Sequence, residues 1–108
     1  MTGADTNDSL KRFLARIVNV LHAQEIWLFG SRGRGDAHER SDWDFIAVLP
    51  DDGPDEHLDL AVVWSLLKDL RRQRVEVFPV RRSDFEEARL ALGTLSQIAT
   101  TEGRRVHG

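Results

Sequence analysis

The chain contains no cysteine. Disulfides, thiolate metal sites and a cysteine nucleophile are therefore excluded. It contains no tyrosine either, and aromatic residues make up only 7% of its 108 residues. No apolar run approaches the ~20 residues of a membrane span, so no membrane partner is expected. Met1 to Asp8 lack a basic start followed by an apolar stretch, so no secretory leader is expected and a cytoplasmic location fits. Basic charge is not in excess: 15 Lys and Arg face 18 Asp and Glu, for a net charge of -3. Direct nucleic-acid binding is accordingly not expected. What remains is an ordinary globular balance, 41% hydrophobic and 31% charged. It suits a single domain over residues 1–108 with one core.

The charges are segregated. Asp36, Glu39, Asp42, Asp44, Asp51, Asp52, Asp55, Glu56 and Asp59 crowd one stretch, and Arg71, Arg72, Arg74, Arg81 and Arg82 another. Most of these read as solvated helix ends and loops. The four histidines, His22, His38, His57 and His107, show no metal-ligand spacing and read as surface residues.

Periodicity predicts a first helix from about Ser9 to Ala23. Its apolar stripe is Leu10, Phe13, Leu14, Ile17, Val18 and Leu21, and Asp8 is a plausible N-cap. Ile26 to Phe29 predicts a strand ended by Gly30, and Gly30 to Gly35 a tight turn into a short helix. Trp43 to Leu49 predicts a central strand covered on both faces. After a turn over Pro50 to Pro54, one long helix is expected from about Asp55 to Arg72. Its buried stripe would be Val62, Val63, Leu66, Leu67 and Leu70, and Trp64, like Trp27, reads as core. Val75 to Val80 predicts a strand, and Pro79 suits an edge. Ser83 with Glu86, and Thr94 with Gln97, read as capping boxes of two short helices, the second ending at Gly103. The order implies an α/β (α+β) domain with a small mixed sheet of three to four strands flanked by helices.

Three features carry chemistry. Gly30-Ser31 follows a strand and precedes a helix start, where free N–H groups and a hydroxyl suit phosphate. Alone, such a pair is more often a plain turn. Asp42 and Asp44, at i and i+2, point to one face of a strand start. Two adjacent carboxylates repel unless a cation or proton separates them, and oxygen ligands of this kind suit Mg²⁺. Alone, they could be a solvated strand end. Glu76 lies between apolar neighbours, where a buried charge needs a reason. It either faces solvent on an edge strand or joins Asp42 and Asp44.

Together the features form a long ordered pattern. It resembles the signature of the DNA polymerase β-like nucleotidyltransferase superfamily. Leu28-Phe29-Gly30-Ser31-Arg32-Gly33-Arg34-Gly35-Asp36 and Ser41-Asp42-Trp43-Asp44-Phe45 look specifically like its minimal prokaryotic members. The resemblance implies the nucleotidyltransferase fold, with Gly30 and Ser31 on the triphosphate and Asp42, Asp44 and Glu76 as catalytic residues holding two Mg²⁺ ions. Arg32 and Arg34 would neutralise phosphate charge; otherwise they are surface arginines. Two positions depart from the pattern: Glu76 stands where aspartate is usual, and Gly33 where alanine is common and would stiffen the short helix.

The implied reaction is AMP transfer from ATP. With 108 residues there is little room for an acceptor domain, so the acceptor site is expected on a partner or a second copy of the chain. Minimal members commonly pair with a helical HEPN-domain toxin and, as its antitoxin, add AMP to a tyrosine of it. Without a tyrosine here, that modification would occur in trans. Two alternatives stay open: an antitoxin neutralising by binding alone, and a transferase acting on a small antibiotic-like alcohol.

Overall fold

The computed structural model describes residues 2–108, with side chains from Asp8 onward. Four strands form one sheet: β1 (Glu25–Phe29), β2 (Trp43–Leu49), β3 (Val75–Arg81) and β4 (Arg104–His107). Their spatial order is β3-β2-β1-β4. β2 runs antiparallel to β1 and parallel to β3, and β4 adds antiparallel to the far side of β1. The sheet is therefore mixed, as expected, and Pro79 sits on an edge strand, where its missing N–H breaks no ladder.

Alternation along the strands feeds two apolar layers. Ile26, Leu28, Trp43, Phe45, Ala47, Leu49, Val75 and Val77 meet Phe13, Ile17 and Leu21 of α1 (Thr2–Leu21). Val63 of α3 (Leu60–Leu66), Leu67, and Leu70 of α4 (Lys68–Arg71) complete that layer. Each fully buried Val, Leu, Ile or Phe among them contributes ~1.5–3 kcal/mol of transfer free energy. On the other face Phe29, Ile46 and Val48 pack on Phe85 of α5 (Arg82–Ala88) and Ala99 of α6 (Leu95–Glu102). β2 is thus covered on both sides. Among the described residues, no helix is long and apolar enough to cross a membrane.

The structure departs from the periodicity reading in several places. α1 begins at Thr2, so Asp8 lies inside the helix instead of capping it. The helix stops at Leu21 because His22 takes a left-handed conformation (φ 57°). The long helix expected over Asp55 to Arg72 is broken into a 3-10 turn (Asp55–Leu58), α3 and α4. Asp59 causes the first break: its carboxylate accepts from the N–H groups of Ala61 (2.9 Å) and Val62 (3.4 Å), restarting the helix there. Leu66 falls on the solvent side, while Val63, Leu67 and Leu70 stay buried. Trp27 and Trp64 are half-buried, their rings covered by Arg89 and Arg71. His57 and His107 are also half-buried, whereas His22 and His38 are exposed.

Of the two capping boxes, one forms. Thr94 Oγ1 accepts from Gln97 N–H at 3.1 Å. Ser83 does not cap α5; its N–H and hydroxyl both donate to Asp51 Oδ1 (2.9 and 3.0 Å), a carboxylate from the β2–α3 loop. Glu86 pairs with Arg82 and Arg89. β4 has too little apolar alternation to be legible in the sequence, and backbone pairing with β1 makes it a strand.

Candidate active site

The strand that ends at Phe29 turns directly into α2 (Gly30–Arg34). Gly30 makes the turn possible with φ 69°, a region that side chains disfavour. A Cβ on Gly30 would lie 2.7 Å from Asp44 Oδ2. The glycine thus lets the turn press against the carboxylate of the neighbouring strand. No side chain caps the start of α2, so its first N–H groups stay available. Ser31 is half-buried beside them.

Gly33 has a role the sequence did not suggest. A Cβ there would meet the Leu28 carbonyl oxygen at 2.4 Å, and a Cβ on Gly103 would meet the same atom at the same distance. The two glycines let α2 and the end of α6 close on β1. Gly33 thus serves close packing, not loosening. Gly103 has extended backbone, so it too is selected by space and not by φ.

Asp44 and Glu76 are direct partners in the parallel register of β2 and β3. Both occupy the face of Ile46 and Phe78, at the edge where that layer ends. Asp42 lies just before β2, exposed. Burial pushes the Asp44 carboxyl above the usual carboxylate range, and the charges of Glu76 and Asp42 push it further. Glu76 therefore joins the aspartates instead of facing away from them. Among the described residues, no three His, Asp or Glu side chains close into a ready metal cage. An open edge of hard oxygen donors, short of ligands and mutually repelling, still fits a divalent cation that takes its remaining ligands from phosphate and water.

The arginines are differently placed. Arg34 pairs with Asp36 at 3.3 Å on the surface. Arg32 lies over the Trp43 ring at 4.0 Å and turns its donors to the carbonyls of the loop before Asp42. Burial lowers the pKa of Arg32, and the nearby charge of Asp42 pulls it the other way. A cleft of about 600 Å³ borders Arg32, Trp43 and His38 but is not lined by the carboxylates. The carboxylate edge, not this cleft, is the candidate chemical site, because there the glycine turn meets Asp44 and its register partner Glu76.

A glycine turn pressed onto one of three converging acids agrees with comparison of the whole sequence. The profile of the nucleotidyltransferase domain matches residues 8–106. The chain belongs to the nucleotidyltransferase domain family. That places it in the DNA polymerase β-like superfamily and identifies it as a transferase of nucleotidyl groups in general. Among curated proteins no sequence matches. A crystal structure of a Sulfolobus solfataricus protein, provisionally named a nucleotidyltransferase, shares 22% identity. It covers 68% of this chain and 69% of that one, with a TM-score of 0.47. Beside the candidate acids of this nucleotidyltransferase stands Arg74, a residue that the sequence pattern does not single out. It immediately precedes the strand of Glu76, in a left-handed conformation (φ 63°) that nothing in its sequence context signals.

Proposed function

We propose that this nucleotidyltransferase transfers AMP from ATP to a hydroxyl carried by another protein. The reading rests chiefly on the apposition of Gly30 to Asp44, which sets the phosphate turn against the acid edge. In this reading Gly30 and Ser31 grip the terminal phosphates and Arg34 adds positive charge beside them. Asp42, Asp44 and Glu76 would hold Mg²⁺, which would neutralise their mutual repulsion. When bound, the metal supplies charge stabilisation at the phosphoryl oxygens and acidifies the acceptor hydroxyl. The acceptor oxygen bonds to the α-phosphorus, and the bond from that phosphorus to the bridging oxygen of pyrophosphate breaks. The hydroxyl proton passes to the Glu76 carboxylate. Glutamate is one methylene longer than the usual aspartate, so the half-buried β3 position sets how far its oxygens reach.

The resemblance to minimal nucleotidyltransferases supports a tyrosine of a helical HEPN-type toxin as acceptor, with this chain as antitoxin. Incubation with labelled ATP, Mg²⁺ and a helical HEPN-type partner is expected to label that tyrosine, and Asp42→Asn to abolish labelling. A folded protein that labels nothing with the correct partner refutes this reading. A second reading, neutralisation by contact alone, is favoured by Leu90 and Leu92. They stand 85% and 92% exposed on the turn between α5 and α6, open to contact with a partner. Under it, the double variant Asp42→Asn with Asp44→Asn still neutralises the toxin.

A further inference from the structure

Residues 36–42, which carry Asp42, form neither helix nor strand. Such a segment would ordinarily hold a catalytic carboxylate loosely. Here four successive carbonyls are gripped from outside. Arg32 Nε donates to Ser41 O at 3.0 Å, and its Nη2 to the carbonyl oxygens of His38 and Glu39, both at 3.3 Å. Arg74 Nη1 donates to Arg40 O at 2.8 Å. The Arg74 backbone adds a second hold: its carbonyl accepts from Trp43 N–H at 2.9 Å, and its own N–H donates to Arg71 O at 3.0 Å. Arg74 therefore pins the chain on both sides of Asp42, and it does so two residues before Glu76.

Its conformation adds weight. At φ 63° glycine or asparagine would be at ease, yet an arginine stands there. The strain is sustained where a guanidinium is needed to reach the loop. Arg32 approaches from α2, stacked on Trp43, the residue between the two aspartates.

We infer that Arg74 and Arg32 are positioning residues that fix Asp42 against Asp44 and Glu76. The inference rests on the proposed nucleotidyl-transfer site. It adds a function for Arg74 and moves Arg32 from the phosphates to the loop.

Arg74→Gly tests it, because glycine removes the guanidinium while fitting the backbone, so the fold is kept. The variant is expected to keep the wild-type Tm. Hydrogen exchange at the amides of His38, Arg40 and Ser41, all hydrogen-bonded within the loop, should be about tenfold faster. Mn²⁺ affinity, read from its paramagnetic resonance signal, should fall about tenfold. The kcat of AMP transfer should fall about a hundredfold while KM for ATP stays within about twofold, since about 1 Å of misplacement has that effect. Arg74→Lys keeps one donor and should recover part of each loss. Unchanged exchange overturns the clamp; faster exchange with unchanged Mn²⁺ affinity and kcat overturns the positioning role. Transfer that survives Asp42→Asn, or is absent from the wild type, refutes the site reading instead. In that case exchange and Mn²⁺ affinity in Arg74→Gly still decide the inference.

Discussion

The two ends of the parallel strand pair treat charge in opposite ways. At the C-terminal ends of β2 and β3 the charges are drawn into partnerships. Arg81 donates to the carbonyls of Pro50, Asp51 and Gly53 and pairs with Asp55. Arg82 binds Glu25 and Glu86, both at 3.1 Å. Asp51 accepts twice from Ser83. At the N-terminal ends, Asp42, Asp44 and Glu76 enter no ion pair among the described residues. The two buttressing arginines there spend their hydrogen bonds on backbone carbonyls. The contrast shows in the acids themselves: Ser83 holds Asp51 below its ordinary pKa, whereas burial and like charges raise Asp44. One end is neutralised to hold the fold. At the other the three carboxylates are left without ion-pair partners, which suits a site completed by a cation and its nucleotide.

Neutralising one acid should break that contrast most strongly. Asp44→Asn is expected to lower AMP transfer by at least about a hundredfold, since even groups behind a metal ligand account for 10–100-fold. The same change should raise Tm at neutral pH without divalent cation, because a repelling carboxylate is gone. Added Mg²⁺ should raise the wild-type Tm and leave that of the variant unmoved. A variant less stable than wild type in chelator would show that Asp44 is not under charge strain.

The glycine contact is the next largest. Gly30→Ala is expected to destabilise by ~1–2 kcal/mol for its positive φ. Its clash with Asp44 Oδ2 should add to that loss and reduce transfer. Gly35→Ala is the control: its φ is 86° but nothing lies within 4 Å of the added Cβ, so only the conformational cost should appear. Denaturant midpoints of the two variants give the difference. Equal losses would mean that the turn does not press on Asp44.

At the paired end, Arg81→Met should cost about 2 kcal/mol in urea unfolding, by removing a charged donor from three carbonyls. Its kcat should match wild type. A changed kcat with unchanged stability would dissolve the distinction between the two ends.

The smallest effect is in pH dependence. The Asp51 pKa is lowered on folding, so its contribution is full above the unfolded aspartate pKa and is lost as pH falls through the lowered folded value. Asp44 is raised, so its penalty grows as pH climbs from the unfolded pKa through the raised folded one. Between neutral and acid pH, Asp51→Asn should be less stable than wild type and Asp44→Asn more stable, both differences vanishing in acid. Tm curves for the three proteins check the signs.

Much of the placement of the candidate site's residues is legible in the sequence. Gly30, Ser31, Asp42 and Asp44 are close enough in the chain that local pattern placed them together on consecutive elements. Glu76 was ambiguous, because a strand acid can face either solvent or neighbours until strand order is known. The parallel β2–β3 register resolved it. The single long helix over Asp55 to Arg72 failed for a local reason: apolar spacing runs on through Asp59, while its side chain competes for the backbone. The Ser83 capping box fails for a distant one, since Asp51 reaches its amide from another loop.

By itself the sequence determined the chemistry on offer. It set the absence of thiols, the order of turn, acids and strand, and the alternation that buries one face of each strand against each helical layer. These depend on residue type and local period. Only the tertiary structure decided how the pieces meet: the short approach of Gly30 to Asp44, the glycines on either side of the Leu28 carbonyl, and β4 completing the sheet. It also decided that two arginines hold the loop of Asp42. Such contacts depend on distances between segments far apart in the chain, and hydrogen-bond geometry over a few tenths of an ångström is invisible to residue order.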